Sequence, residues 1–102
     1  MSKETELEVL RLAPQAETQS SLAKQLGFSA GKTHYILAAL IEKGLIKVER
    51  FKRSDNKLAY RYVLTPKGVV ERIALTEKFI QHKKQEYEAL QRELELLRYP
   101  TT

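Results

Sequence analysis

The first part of the chain carries apolar side chains three and four residues apart among charged ones, a pattern typical of amphipathic helices. The spacing predicts three helices, over residues 3–13, 19–26 and 30–43. Each is preceded by hydroxyl side chains that can cap its start, namely Ser2 or Thr5, Thr18 and Ser29. Pro14 follows the first helix and ends it. The third helix is expected to bury Leu37, Leu40 and Ile41 on one face.

The stretch GFSAGKTHY, residues 27–35, joins the second helix to the third. It is close to the nucleotide-binding pattern G-x-x-x-x-G-K-[ST], but its glycines are one residue too near each other. That loop also follows a strand, whereas a helix precedes residue 27. Gly27 suits a left-handed helix end, so the three residues 27–29 predict a helix-turn-helix instead.

After Gly44 the apolar residues change to a period of two. LIKVERF (45–51) and LAYRYVL (58–64) alternate apolar and polar residues, which predicts two strands around the polar, basic loop KRSDNK. Tyr60 and Tyr62 alternate in step with leucines, so core packing is favoured over a platform that stacks on bases. A helix-turn-helix followed directly by a hairpin is a winged helix.

LTPKG (64–68) then predicts the start of a long helix, with Thr65 as its cap and Pro66 in its first position. From residue 73 its residues follow the three-four spacing of a coiled-coil seam, namely Ile73, Thr76, Ile80, Lys83, Tyr87, Leu90, Leu94 and Leu97. We predict that its apolar members pair two copies of the chain. The alternative is that the seam folds back on the same chain. Pro100, Thr101 and Thr102 are expected to fray.

The expected fold is therefore mainly α with a small β-hairpin: a winged helix-turn-helix over 1–68 and a dimerisation helix over 69–102. In a parallel pair of terminal helices, Glu93 would face Arg98 of the partner. The orientation of the pair stays open, as does an oligomer beyond the dimer.

The net charge of +5 is concentrated in the middle of the chain. Residues 24–57 carry eight Lys or Arg and three acidic residues, whereas residues 1–23 carry two and four. Such a basic segment indicates a surface that meets phosphates, with a solvated charged face as the alternative. The longest apolar run, YILAALI, is too short to span a bilayer, and no signal peptide is visible, so a soluble, cytoplasmic protein is expected.

These patterns favour double-stranded DNA as the partner, read by the third helix and held by the hairpin. The predicted DNA-binding residues are Ser29, Gly31, Lys32, Thr33, His34, Tyr35, Arg50, Lys52, Arg53, Ser54 and Lys57. Ala39 is expected on the same outward face. Neither histidine has a second ligand nearby and there is no cysteine, so no metal or cofactor is expected. No nucleophile, base and orienting residue can be assembled, which argues against an enzyme. The rival class is a protein-interaction adaptor that does not bind DNA.

Taken together, SLAKQLGFSAGKTHYILAALIEKGLIK, RSDNKLAY and VLTPKG resemble the MarR-type winged-helix transcriptional regulators. The GKTHY core, the SDNKLAYRY hairpin and the terminal helix are most similar to the subgroup associated with exopolysaccharide biosynthesis. The resemblance implies a bacterial regulator of transcription that binds DNA as a dimer. A homodimer with two recognition helices is itself predicted to read an inverted repeat.

Two departures from ordinary MarR proteins matter. Their N-terminal dimerisation helix is missing here, so dimerisation is expected to fall on the C-terminal helix. Where many of them have Asp-x-Arg in the hairpin, this chain has Asp55 and Lys57, and lysine lacks the planar fork of arginine. Operator sequence, repression or activation, and a small-molecule effector stay open.

Overall fold

The structure, a computed structural model, describes residues 1–99; the predicted frayed end at Pro100, Thr101 and Thr102 lies outside the described residues. The elements in chain order are α1 (Lys3–Leu12), a 3-10 turn (Ala13–Gln15), α2 (Gln19–Leu26), α3 (Ala30–Glu42), β1 (Ile46–Lys52), β2 (Leu58–Leu64) and α4 (Pro66–Arg98). The predicted fold class, a winged helix-turn-helix with one hairpin and a long last helix, is confirmed.

Each α-helix begins at a hydroxyl cap, as the sequence predicts. Of the two candidates for α1, Ser2 is the cap and accepts from the backbone N–H of Thr5. Thr18 forms a capping box with Ser21 at the start of α2. Such caps satisfy backbone N–H groups that the first helical turn leaves unpaired.

Gly27 ends α2 with a φ of 72°, in the predicted left-handed conformation. Its N–H donates to the Lys24 carbonyl and the next N–H, of Phe28, donates to the Ala23 carbonyl, which closes the helix end. The chain then turns through Phe28 and enters α3 at its cap, Ser29. This connection sets the helix-turn-helix.

The core lies between the first three helices and the base of the hairpin. Its buried apolar members are Val9, Leu10, Ala13, Ala16, Leu22, Leu26, Ile36, Leu37, Leu40, Leu45, Ile46 and Leu75. The prediction that α3 buries Ile41 is wrong, because this side chain is 38% exposed at the edge of the buried face. Ile36 and Thr33 complete that face instead.

The hairpin pairs β1 with β2 antiparallel, from Ile46 opposite Leu64 to Lys52 opposite Leu58. Only its base reaches the core: Ile46 is buried, and Tyr62 packs partly against the core. Core packing of Tyr60 is a wrong prediction, since its side chain is 57% exposed. The hairpin projects beyond the core, so its outer residues keep the alternation of a strand without being buried.

α4 starts at Pro66, with Thr65 as its cap, and Lys67 donates to the Lys43 carbonyl at the end of α3. A Cβ added at Gly68 would overlap the Leu45 carbonyl, so the helix lies directly on that backbone. Leu75 is the last fully buried residue of α4. The predicted domain boundary between residues 68 and 69 falls inside this helix.

Beyond residue 80 α4 extends away from the core, and residues 80–99 are all exposed. The alternative in which the seam folds back on the same chain is therefore wrong. The outline is elongated, with extents of 73 × 26 × 25 Å.

Candidate nucleic-acid interface

The first turn of α3 holds the Lys32 ammonium in a defined position at the surface. The Ser29 hydroxyl accepts from the backbone N–H of Lys32 at 3.1 Å, which fixes the start of the helix. The Lys32 ammonium lies 3.9 Å from the centroid of the Phe28 ring, within cation–π distance. Phe28, itself partly packed against the core, thus holds Lys32 at the solvent side of the turn.

The outward face of α3 is open to solvent over two turns. Its exposed predicted residues are Gly31, Lys32, His34 and Tyr35. Tyr35 is 73% exposed, and nothing lies within 4 Å of the position that a Cβ on Gly31 would take. Sequence reasoning placed Ala39 on this face, but Ala39 is half-buried and Ala38 is exposed in its place.

Thr33 does not belong to the outward face. Its side chain is fully buried, and its hydroxyl donates to the Ser29 carbonyl at 2.9 Å. The prediction that Thr33 contacts DNA is therefore corrected. Its hydroxyl satisfies a backbone acceptor inside the fold, as Thr does when it occurs within a helix.

The hairpin and its loop, residues 46–64, form the wing. All five predicted wing residues are exposed, namely Arg50, Lys52, Arg53, Ser54 and Lys57. The loop bends at Asn56, which has a φ of 63°, and the Asp55 carboxylate accepts from the Lys57 N–H at 3.2 Å. Asp55 also lies 3.7 Å from the Arg53 guanidinium, so it partly neutralises that cation.

The alternation of side chains along the two strands sorts the wing charges onto two faces. Glu49 pairs with Arg61 across the strands at 3.1 Å and with Lys47 at 3.7 Å, all on one face. The other face carries Arg50 and Lys52, because side chains alternate along a strand.

Within the described part of the chain, neither Arg50 nor Lys52 forms an ion pair. The Arg50 guanidinium lies 5.9 Å from the ring centroid of Tyr60 on the same face. This face is therefore cationic and free of strand carboxylates.

A hydrogen bond joins the wing to the helix-turn-helix. The Tyr62 hydroxyl donates to Gln19 Oε1 at 3.2 Å, linking β2 to the first residue of α2. Partial burial raises the pKa of the Tyr62 phenol, so the phenol stays protonated as a donor at neutral pH.

Sequence reasoning missed two aromatic members of this interface, Phe28 and Tyr60. The four-residue separation of Phe28 and Lys32 across the turn was a usable signal for their contact. The position of Tyr60 opposite Arg50 depends on the strand register, which the length of the loop would have indicated.

The seam on α4 is the second candidate surface. Its six predicted dimerisation residues are each 45–74% exposed, namely Ile73, Ile80, Tyr87, Leu90, Leu94 and Leu97. A row of exposed apolar residues of this size is characteristic of an interaction site.

Residues 1–99 offer no group of three or more His, Asp or Glu placed to hold a metal ion. None of the helices they form is both long and apolar enough to cross a membrane.

Residues 7–47, from α1 to the start of β1, match the protein-family model described as winged helix-turn-helix DNA-binding. Fold and match together define the class of fold: a winged helix-turn-helix domain extended by a long helix. Among curated protein sequences none matches the chain.

Solved structures of transcription regulators have the same fold. A PadR-like transcriptional regulator from Bacillus cereus strain ATCC 14579 has a TM-score of 0.73 at 19% identity, over 85% of this chain and 91% of that one. MepR, the MarR-type transcription regulator of the Staphylococcus aureus multidrug efflux pump MepA, has a TM-score of 0.62 at 23% identity, over 94% of this chain and 73% of MepR. The S. aureus MepR–DNA complex has a TM-score of 0.61 at 22% identity, over 93% of this chain and 76% of that one.

Proposed function

We propose that this protein is a sequence-specific DNA-binding regulator of transcription that acts as a homodimer in the cytoplasm. One observation carries the proposal: the outward face of α3 and one face of the wing are exposed, cationic and unused by the fold itself. Cations without carboxylate partners suit a polyanion. The structural likeness to transcription regulators, one of them solved with DNA, supports the same conclusion.

In this proposal α3 is the recognition helix and enters the major groove. Lys32 donates to guanine O6 or N7, and Tyr35 contacts a base edge or a phosphate. Gly31 allows close approach because it adds no side chain. Ser29 and His34 at the margin of the face bind the backbone, and the start of α3 favours its negative charge.

The wing holds the DNA backbone beside the recognition helix. Arg50 and Lys52 approach it from the carboxylate-free face, and the loop contributes Arg53, Ser54 and Lys57. Lysine meets a phosphate as a point charge, so Lys57 serves the backbone rather than minor-groove bases. These contacts fix register more than sequence.

The dimer forms through the exposed seam of α4. A two-fold symmetric dimer presents two copies of α3 and therefore reads an inverted repeat, with half-sites about 34 Å apart, one turn of DNA. The finer assignment to operators at exopolysaccharide biosynthesis genes rests on the resemblance of the recognition helix and wing to that subgroup. The genes neighbouring the coding sequence test it directly.

The test is selection of binding sites from a random duplex library, followed by titration of the selected site over a range of salt concentrations. We expect a palindromic site and, for about six neutralised phosphates per dimer, a slope of log affinity against log salt of about −5. Lys52→Ala in each chain should make the slope less steep by about two, whereas Arg92→Ala on distal α4 should leave it unchanged.

No enriched site, from a folded dimeric protein, would contradict the proposal. That outcome would favour the adaptor, which uses the seam to bind another protein. A salt-independent affinity would contradict the phosphate contacts specifically.

A further inference from the structure

The seam carries a surface groove where α4 leaves the core. Five seam or flanking side chains and one residue of β2 line an apolar groove there, namely Leu64, Val69, Arg72, Ile73, Thr76 and Glu77. Val69 and Ile73 are about half exposed. Arg72 and Glu77 occupy the two flanks of the seam in its three-four spacing. Val69 extends the seam one position before its predicted start. The groove is thus shaped for a helix with leucines on one face and charges beside them.

We propose that the two α4 helices of the dimer pair antiparallel, with Leu90 and Leu94 of each chain seated in the groove of the other. This inference rests on the proposed homodimer and adds its orientation and register. In this register Ile73 faces Leu90 of the second copy and Val69 faces its Leu94. Between these two contacts, the large Tyr87 faces the small Thr76 of the second copy. The apolar stem of Lys83 faces Ile80 of the second copy.

The charged residues on the two flanks of the seam are also complementary in this register. An antiparallel pair brings like flanks together, so Arg72 meets Glu93 of the second copy and Glu77 meets its Lys84. Both contacts occur twice by symmetry, and all four side chains belong to the seam's flanks, where charges set partner and orientation. The carboxylate of Glu86 lies 3.4 Å from the Lys83 ammonium of its own chain, which compensates the one charge at the seam.

Other pairings leave charges in conflict. In a parallel pair Glu93 faces Arg98 of the second copy. Lys83 then faces Lys83 of the second copy, and the two Lys84 side chains lie beside them. In an antiparallel pair shifted by one heptad toward the C-terminus, Glu86 meets Glu86 of the second copy. Lys84 likewise meets Lys84 of the second copy. Like charges in contact disfavour such arrangements.

This register also separates the two winged helices. Leu75, where α4 leaves its own core, lies level with Glu88 of the second copy. At about 1.5 Å per residue, the two domains are offset by about 20 Å along the helix pair. An offset of this size helps two recognition helices reach successive turns of DNA, whereas a parallel pair gives no axial offset.

Cysteine cross-linking tests the register, because the chain has no cysteine of its own. Chains with Ile73→Cys and chains with Leu90→Cys are refolded together and separately, oxidised, and mapped by mass spectrometry. We expect a disulfide between residues 73 and 90 in the mixture and none in either variant alone. Two copies of position 90 would be about 25 Å apart, far beyond disulfide reach. Ala74→Cys with Ala89→Cys is the matched control, because both residues are exposed off the seam at the same level.

Cross-linking of Leu90→Cys alone would overturn the inference in favour of a parallel pair. Absence of any cross-link from a protein that is dimeric by light scattering would overturn it as well. A monomer by light scattering would instead contradict the proposed homodimer.

A charge exchange gives an independent reading of the register. Arg72→Glu should weaken the dimer about fivefold, because at each of the two symmetric contacts it places a carboxylate against Glu93 of the second copy. Adding Glu93→Arg should restore the affinity of the dimer. Restoration by Glu77→Arg instead, the partner of residue 72 in a parallel pair, would overturn the antiparallel register.

Discussion

At the scale of single residues, Gly31 separates stability from DNA binding. It occupies the second position of α3, and a Cβ there would meet nothing within 4 Å. Because glycine is the poorer helix former, Gly31→Ala should raise the free energy of unfolding by about 0.5 kcal/mol. Gly31→Leu should also fold but should weaken binding to the selected operator at least tenfold, by keeping α3 from the groove floor. Denaturant titration and fluorescence anisotropy measure the two effects, and an unchanged operator affinity of Gly31→Leu would remove Gly31 from the interface.

In the proposed complex Phe28 acts on DNA through Lys32, as a positioning residue. Phe28→Leu keeps an apolar side chain in the turn but removes the ring over which the ammonium lies. Exposed cation–π contacts contribute about 0.5–1 kcal/mol, so the affinity for the selected operator should fall about two- to fivefold. The loss should be concentrated at the base pair that Lys32 reads, and Phe28→Tyr should restore it. An equal loss for every operator variant would indicate a structural effect only.

Tyr62 fixes the wing to α2, and its ionisation gives a pH dependence. The folded protein raises the pKa of this phenol, so folding favours the protonated form. Its contribution to stability is therefore complete below about pH 10 and is lost as the pH rises through the raised pKa. Tyr62→Phe should cost about 1 kcal/mol at pH 7 through the lost hydrogen bond to Gln19, and should weaken the alkaline decline of stability. Tyr60→Phe is the matched control, and equal pH profiles for wild type and Tyr62→Phe would contradict the assignment.

At the scale of elements, the attachment of α4 depends on one close backbone approach. Gly68 lies against the Leu45 carbonyl, and the Thr65 N–H donates to that same carbonyl at 3.1 Å. Gly68→Ala should therefore destabilise the fold by about 2 kcal/mol, despite the better helix propensity of alanine, because the backbone must shift. Gly31→Ala is the control with the opposite expected sign. If both substitutions stabilise the protein, α4 does not lie on Leu45 as described.

The order and ends of the elements were predictable because local chemistry sets them. Hydroxyl caps and the left-handed Gly27 act on backbone groups a few residues away, and the sequence displays these residues directly. It was harder to predict which side chains of a helix point toward the core. Whether Thr33 or Ile41 points inward depends on how α3 crosses its neighbours, which is a tertiary property.

The same limit applies to the candidate site. Charge concentration and helical spacing indicated the exposed residues of α3 and the wing. Alternation along β1 puts Glu49 and Arg50 on opposite faces, but the pairing of Glu49 with Arg61 depends on the strand register. Exposure of Tyr60 follows from how far the hairpin extends past the core, and no local pattern encodes that distance.

At the scale of the whole molecule, the second copy of the proposed dimer serves two linked purposes for an elongated chain with half of α4 uncovered. A lone polar helix gains most of its stability from burying its apolar stripe, so the distal half of α4 is stabilised by pairing. In the proposed complex a single winged helix also contacts one half-site, and pairing joins two such contacts. Effective concentration then makes the second contact much easier than the first. Stability of α4 and affinity for the operator should therefore be lost together when the seam is disrupted.

Replacing Leu90 and Leu94 together with lysine tests this linkage. Two charges in the seam should reduce the mass in solution to the 11.8 kDa of one chain while the winged helix stays folded, because Leu90 and Leu94 are exposed and do not belong to the core. The affinity for a full inverted repeat should fall at least a hundredfold, toward that for a single half-site, because the avidity of the pair is lost. Leu96→Lys is the matched control: this leucine is 64% exposed on another face of α4, so dimer mass and operator affinity should both persist. Light scattering and anisotropy decide the outcome. A dimer that survives the double substitution would place dimerisation elsewhere, and a monomer with full operator affinity would show that two copies bind without the seam.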